Sequence, residues 1–222
     1  LLESNKELQA KLDGMRLSKK EFMQVDGAAG KLNAWMIKPA NFDPNKKYPV
    51  YFNVYCGPGS NMVTNDWDGP NYMYHQLLAQ KGYIVFCVDT RGTQFRGAKF
   101  KKSTYLQLGK LETEDLIAVA KNLQKESYVD PARIGIMGWS YGGFMASLAM
   151  TKGADVFKMG IAVAPVTNWR NYDNIYTERF MRTPQENAGG YDDNSPVNHA
   201  DKLKGKFLKL SQNRGILNLG LT

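Results

Sequence analysis

Hydrophobic residues fall along this chain in short blocks parted by glycine, proline and polar residues, and their spacing switches between that of helices and that of strands. Leu1, Leu8 and Leu12 stand at near-helical spacing in a polar stretch, which predicts a linker helix over residues 1 to about 20. Phe22 to Lys38 reads as an antiparallel hairpin folded about a turn at Gly27–Gly30. Val50 to Tyr55, rich in β-branched and aromatic residues, predicts a strand that Gly57-Pro58-Gly59 breaks. Tyr72 to Lys81 is helical in character and stops at Gly82. Tyr83 to Val88 is apolar without alternation, the pattern of a strand buried on both faces. Glu112 to Gln124 predicts an amphipathic helix with Leu116, Val119, Ala120 and Leu123 on one face. Pro131-Ala132-Arg133 introduces a short buried strand, Ile134 to Met137. A helix over Phe144 to Met150 and a strand over Gly160 to Val163 follow, and from Phe180 onward the sequence is polar and turn-rich.

Strands alternating with helices specify a mostly parallel sheet with helices on both faces, the α/β class, in one domain. A chain of 222 residues, 43% hydrophobic, can bury one such core. No run approaches the roughly 18 apolar residues of a membrane span. The opening residues carry no basic stretch followed by an apolar one, so they do not read as a signal peptide. The start at Leu1-Leu2, without Met, reads as a cut piece.

Charge changes the picture little. A net charge of +8 suggests an acidic partner, but the lysines are scattered in pairs (Lys19-Lys20, Lys46-Lys47, Lys101-Lys102) and no nucleic-acid-binding spacing occurs. A solvated basic surface, with no nucleic acid as partner, is the expectation. Cys56 and Cys87 lie in or just after buried runs, and neither His75 nor His199 stands at ligand spacing from them. No metal or other cofactor is expected.

Gly138-Trp139-Ser140-Tyr141-Gly142-Gly143 fits the pattern G-x-S-x-G, and its context gives it weight. It follows a buried strand and precedes a helix of small and apolar residues. A very tight strand-to-helix turn lifts such a serine above the sheet edge, and Gly138 and Gly142 allow backbones to pack where a Cβ would obstruct them. The helix then aims its amino-terminal N–H groups at the serine, where an oxyanion would form. The alternative is an ordinary Gly-rich turn with a capping serine.

With Tyr128-Val129-Asp130 and Arg133-Ile134 before it, this hexapeptide resembles the prolyl oligopeptidase family of serine peptidases, which implies an α/β-hydrolase fold. Three further segments resemble its dipeptidyl peptidase IV branch. They are Lys47-Tyr48-Pro49 running into Val54-Tyr55-Cys56-Gly57-Pro58-Gly59-Ser60; Val88-Asp89-Thr90-Arg91-Gly92-Thr93; and Ala164-Pro165-Val166 with Trp169, Tyr172-Asp173 and Tyr176-Thr177-Glu178-Arg179. The resemblance spans about residues 1 to 206, with 1–20 as a linker helix and 21–222 as a partial catalytic domain.

The resemblance implies that Ser140 attacks, and that the Tyr141 backbone N–H and the Tyr55 hydroxyl hold the oxyanion. It implies that the Tyr141 ring, Val166, Trp169, Tyr172 and Tyr176 form the pocket before the scissile bond. An aromatic box suits proline, a rigid ring without an N–H, although core packing alone would also account for Trp169 and Tyr172. Asp89 and Arg91 are expected to stabilise a loop. The implied substrate is a peptide with proline or alanine second, cleaved through an acyl-enzyme. An extracytoplasmic setting and a homodimeric full-length protein are further implications. An acylaminoacyl peptidase or esterase, and a non-catalytic hydrolase-fold module, are the alternatives.

A serine hydroxyl needs a base, usually a histidine held by a carboxylate. After Ser140 the sequence offers only His199, with Asp192 and Asp193 too close in sequence to project from a separate strand end. The family's acid and base would lie beyond Lys206, and the residues from Phe207 to Thr222 do not resemble that region. The expectation is a C-terminally truncated chain without the triad Asp and His, and therefore inactive. The branch's amine-binding β-propeller would precede Leu1.

Overall fold

The computed structural model describes residues 3–211. An exposed helix, α1 (Lys6–Asp13), leads into a hairpin of β1 (Lys20–Gly27) and β2 (Gly30–Ile37). Then come β3 (Tyr48–Asn53), α2 (Gly69–Gln80), β4 (Ile84–Asp89) and a short α3 (Ala98–Lys101). The central run is α4 (Lys110–Leu123), β5 (Val129–Trp139), α5 (Tyr141–Lys152) and β6 (Met159–Val163). A 3-10 turn at Trp169–Asn171 precedes α6 (Asn174–Met181) and α7 (Ala188–Asp192). A 3-10 segment, Pro196–Lys202, and β7 (Lys206–Leu210) complete the described chain.

The strands form one sheet in the order β1-β2-β4-β3-β5-β6-β7. The pairs β1–β2 and β2–β4 are antiparallel, and every pair from β4 through β3, β5 and β6 to β7 is parallel. Side chains alternate across the sheet, so Val50 and Phe52 join the larger core under α4 and α5 while Tyr51 joins the smaller core beside α2. In the larger core the Phe52 ring lies 4.9 Å from Phe86 and 5.5 Å from Phe157. β4 is buried along its whole length, as an apolar run without alternation requires, and α5 buries every residue from Tyr141 to Thr151.

The expected elements are all present, with displaced ends. β3 stops at Asn53 rather than Tyr55, because the chain turns out of the sheet at Cys56, whose φ is 63°. β5 begins at Val129, and Pro131–Arg133 bulge out exposed where the register shifts opposite Tyr48 and Val50. The polar stretch from Phe180 holds the end of α6, α7, the 3-10 segment and β7, none of them expected. Cooperative local contacts built these short elements: the Asp173 carboxylate caps α6 by accepting from the Tyr176 N–H at 2.9 Å, and the Asn187 amide donates to the carbonyls of Leu106 and Met181. Leu1 lies outside the described residues.

Asp89 and Arg91 both hold loops in place. The Asp89 carboxylate accepts from the N–H groups of Met62 and Val63 and from the Asn61 amide. Arg91 Nε donates to Asp115 Oδ2 at 2.9 Å, and Asp115 also accepts from the N–H groups of Arg91 and Ala28. Asp115 is fully buried, so it ties the β1–β2 turn and the loop after β4 to α4 from inside. Removing one partner of such a pair strands the other charge. Asp115→Ala should therefore cost about 3 kcal/mol in urea unfolding; a loss below about 1 kcal/mol would mean that the pair is solvated as surface pairs are.

Candidate active site

The turn between β5 and α5 is built by backbones in contact. A Cβ on Gly138 would overlap the backbone of Gly142, and a Cβ on Gly142 would overlap the Val54 carbonyl. A Cβ on Gly143 would come within 2.8 Å of the Val163 oxygen. Between these glycines Ser140 takes φ 57° and ψ −116°, a conformation costly for a side-chain-bearing residue. Two hydrogen bonds hold it there: Ser140 N–H donates to Val163 O at 2.8 Å, and Phe144 N–H donates to Ser140 O at 3.0 Å. Ser140 is half-buried, at the carboxyl end of β5 and at the amino terminus of α5. Tyr141 opens α5, so its N–H has no partner within the helix.

Tyr55 reaches the same place from the neighbouring strand. Val54 N–H still pairs with Met137 O at 3.0 Å, and the chain then leaves the sheet, placing Tyr55 beside Gly142. The Tyr55 ring lies 6.0 Å from that of Tyr141. Burial raises the Tyr55 hydroxyl above the usual phenol range, the neighbouring Tyr172 adds to the rise, and the Ser140 hydroxyl opposes it. Tyr55 is therefore a neutral donor at neutral pH, suited to hydrogen-bonding an oxygen that gains charge.

Aromatic rings continue from this point. Tyr141 lies 5.7 Å from Trp169, which stacks on Tyr176 at 6.0 Å and meets Tyr172 edge-on at 5.9 Å. Tyr172 and Tyr176 are themselves edge-to-face at 5.5 Å. Tyr141 and Trp169 are buried and form the base, whereas Tyr55, Tyr172 and Tyr176 are half-exposed. Val166 is buried in the same core cluster. The structure thus brings Tyr55, Ser140, Tyr141, Trp169, Tyr172 and Tyr176 into one neighbourhood.

The two histidines are engaged elsewhere. His75 is buried, with Nε2 3.1 Å from the Asn53 amide and Nδ1 3.3 Å from Asp68. His199 has Nε2 2.7 Å from Asp193 O and Nδ1 3.1 Å from the Lys202 ammonium. Asp192 forms a bidentate pair with Arg170.

Glu112 was legible only as the start of an amphipathic helix, yet it holds the site from beneath. It is fully buried, and its Oε1 accepts from the Tyr141 hydroxyl at 2.6 Å. Its Oε2 accepts from the Gly109 N–H at 3.1 Å. A glutamate four residues before Leu116, in line with the stripe of Leu116, Val119, Ala120 and Leu123, was the available signal. Burial pushes the carboxyl up from 4.5 to about 7, although the Tyr141 hydroxyl and the Gly109 N–H pull the other way.

The folded protein therefore holds the Glu112 proton where the unfolded chain releases it. Stability from this group is full below about pH 4.5 and is lost as pH rises through about 7. The loss amounts to about 3 kcal/mol. Urea titrations from pH 4.5 to 8 should show this fall in the wild-type chain and a flatter profile in Glu112→Gln. Parallel profiles would remove the carboxyl from the account.

Residues 71–220 match the model of the prolyl oligopeptidase family, so the match continues beyond Lys206, where the sequence resemblance was expected to end. Its last residues lie outside the described ones. The chain is 46% identical over 203 residues to a probable dipeptidyl-aminopeptidase B of Paracoccidioides lutzii, covering 91% of this chain and 22% of the relative. It is 39% identical over 209 residues to dipeptidyl peptidase 4 of Trichophyton equinum, covering 92% of this chain and 27% of the relative. The crystal structure of Porphyromonas gingivalis dipeptidyl peptidase 4 superposes with a TM-score of 0.87 at 47% identity, covering 95% of this chain and 30% of that one. The chain thus spans between about a fifth and a third of the length of these proteins. Its sheet is that of an α/β-hydrolase, and the chain belongs to the prolyl oligopeptidase family of serine peptidases.

Proposed function

We propose that this chain is the nucleophile-bearing part of a serine exopeptidase that releases Xaa-Pro, or Xaa-Ala, dipeptides from peptide amino termini. Residues 21–222 would be part of its catalytic domain, with 1–20 leading in. The observation that carries this reading is the meeting of Ser140, held at φ 57° on the elbow, with Tyr55 and with an aromatic wall of Tyr141, Trp169, Tyr172 and Tyr176. The relatives' names, dipeptidyl-aminopeptidase and dipeptidyl peptidase, agree with it.

In this reading the Ser140 oxygen attacks the carbonyl carbon that follows proline's ring. The Tyr55 hydroxyl and the Tyr141 N–H take the charge that moves onto the carbonyl oxygen, as two donors fixed in advance. The ester to Ser140 forms as the amine leaves, and water later releases the dipeptide. Val166, Trp169, Tyr172 and Tyr176 accept the proline ring by shape and stacking, since it offers no N–H to bind. A base must take the serine proton. Among the described residues both histidines hold other partners, so the described part alone would turn over substrate far below the rate of a complete triad. By the same reading the full-length protein would act outside the cytoplasm and would be a homodimer. Among the described residues no helix is long and apolar enough to cross a membrane.

A fluorophosphonate probe tests the nucleophile. The full-length protein should label at one serine, Ser140→Ala should abolish the label, and this chain should label far more slowly. Absence of labelling in the full-length protein would overturn the reading and favour a non-catalytic module. In the full-length protein Tyr55→Phe should lower kcat/KM on an Xaa-Pro amide about 10²- to 10³-fold, mostly in kcat, as loss of one oxyanion donor does.

A further inference from the structure

Beside the aromatic wall opens a cavity of about 560 Å³ whose lining includes Pro58, Lys101, Lys102, Tyr105, Arg179 and Phe180. Its lining borders the site described above. Phe180 packs on Tyr176 with ring centroids 5.0 Å apart, and Pro58 follows Tyr55 by three residues on the same excursion from the sheet. Arg179 stands on α6 one turn beyond Tyr176, and Lys101 ends α3, with its side chain against Gly59.

Among the described residues three cations line this cavity and no carboxylate does. Among the described residues none of the three enters an ion pair, whereas Lys31, Lys38, Arg91, Arg133 and Arg170 each have an acidic partner. Cations gathered around a concavity without a counter-charge raise the local potential and attract an anion. Tyr105 adds a hydroxyl near the rim, and Pro58 and Phe180 supply apolar surface against which the stem of a side chain can lie.

We propose that this cavity is a subsite for an acidic side chain of the peptide whose proline occupies the aromatic slot, so that the protein selects glutamate or aspartate beside proline. This rests on the exopeptidase reading above and adds a charge preference to it. Lys101, Lys102 and Arg179 are the residues that set the preference. Because they are exposed and the carboxylate stays partly solvated, the expected gain is modest and sensitive to salt.

Isothermal titration of this chain with tetrapeptides tests the subsite without requiring turnover. The probes are Glu-Pro-Gly-Gly, Gly-Pro-Glu-Gly, Gly-Pro-Gln-Gly and Gly-Gly-Glu-Gly. One of the two peptides carrying both glutamate and proline should bind about five- to tenfold more tightly than Gly-Pro-Gln-Gly at low salt. That preference should vanish in Lys101→Ala/Lys102→Ala and at about 0.5 M salt. The position of the favoured glutamate tells on which side of the proline the cavity lies. Equal binding of all three proline peptides would overturn the subsite while leaving the slot intact. Equal binding with and without proline, or binding of none, would overturn the slot reading and the subsite with it.

Discussion

Backbone contact at the turn between β5 and α5 is the constraint on which the rest of this molecule depends. Gly138 touches Gly142, and Gly142 touches Val54, with no room for a side chain at either glycine. Helix α5 can begin this close to the sheet edge only because those positions are bare. The close approach forces Ser140 into a backbone conformation that costs on the order of 1–3 kcal/mol, and burial of α5 from Tyr141 to Thr151 offsets it many times over. The same contact fixes Tyr55 relative to Ser140, since Gly142 lies between them. Ser140 and Tyr55 are thus set by one packing event rather than two.

A polar frame surrounds that contact. Glu112 reaches through the larger core to the Tyr141 hydroxyl, so the ring at the base of the aromatic wall is tethered at its far end. Tyr141 then serves two masters: its N–H opens α5 without a partner in the helix, and its ring packs on Tyr55, Phe144 and Trp169. A fully buried carboxyl is an uncommon choice for such a tether, because a neutral amide would hold the phenol without a titration near neutrality. Asp115, one helical turn along α4, is a second buried acid, here matched to Arg91. One helix therefore carries two inward carboxyls, each fixing a different loop.

The central sheet was legible because its strands are apolar runs of fixed length between breakers, and the glycines at 138, 142 and 143 announced the elbow. The ends of elements were less legible. Nothing in Val54-Tyr55 says that the strand has already ended, since that is decided by Cys56 adopting φ 63° beside Gly57. The short helices α6 and α7 escaped pattern reading because they depend on single capping and amide contacts, as at Asp173 and Asn187, rather than on an apolar stripe. Ser140, Tyr55 and the aromatic wall were identified through resemblance. Spacing alone could not have chosen Trp169 or Tyr172 over ordinary core residues. Glu112 went unnoticed as a site residue because a glutamate near a helix start satisfies a local rule, a bond back to the Gly109 N–H, that conceals its long-range one.

The hydrogen bond from Ser140 to Val163 has a consequence for the chain while it is being made. The elbow is closed by β6, and β6 follows the serine by some twenty residues in the sequence. Tyr55, by contrast, leaves the ribosome well ahead of both. A nascent chain that has emerged only as far as the serine has Tyr55 and β3 in hand but lacks β6, whose Val163 carbonyl holds the turn. The turn at Ser140 is therefore held by a strand made after it, and the bond that closes it forms only once β6 has emerged.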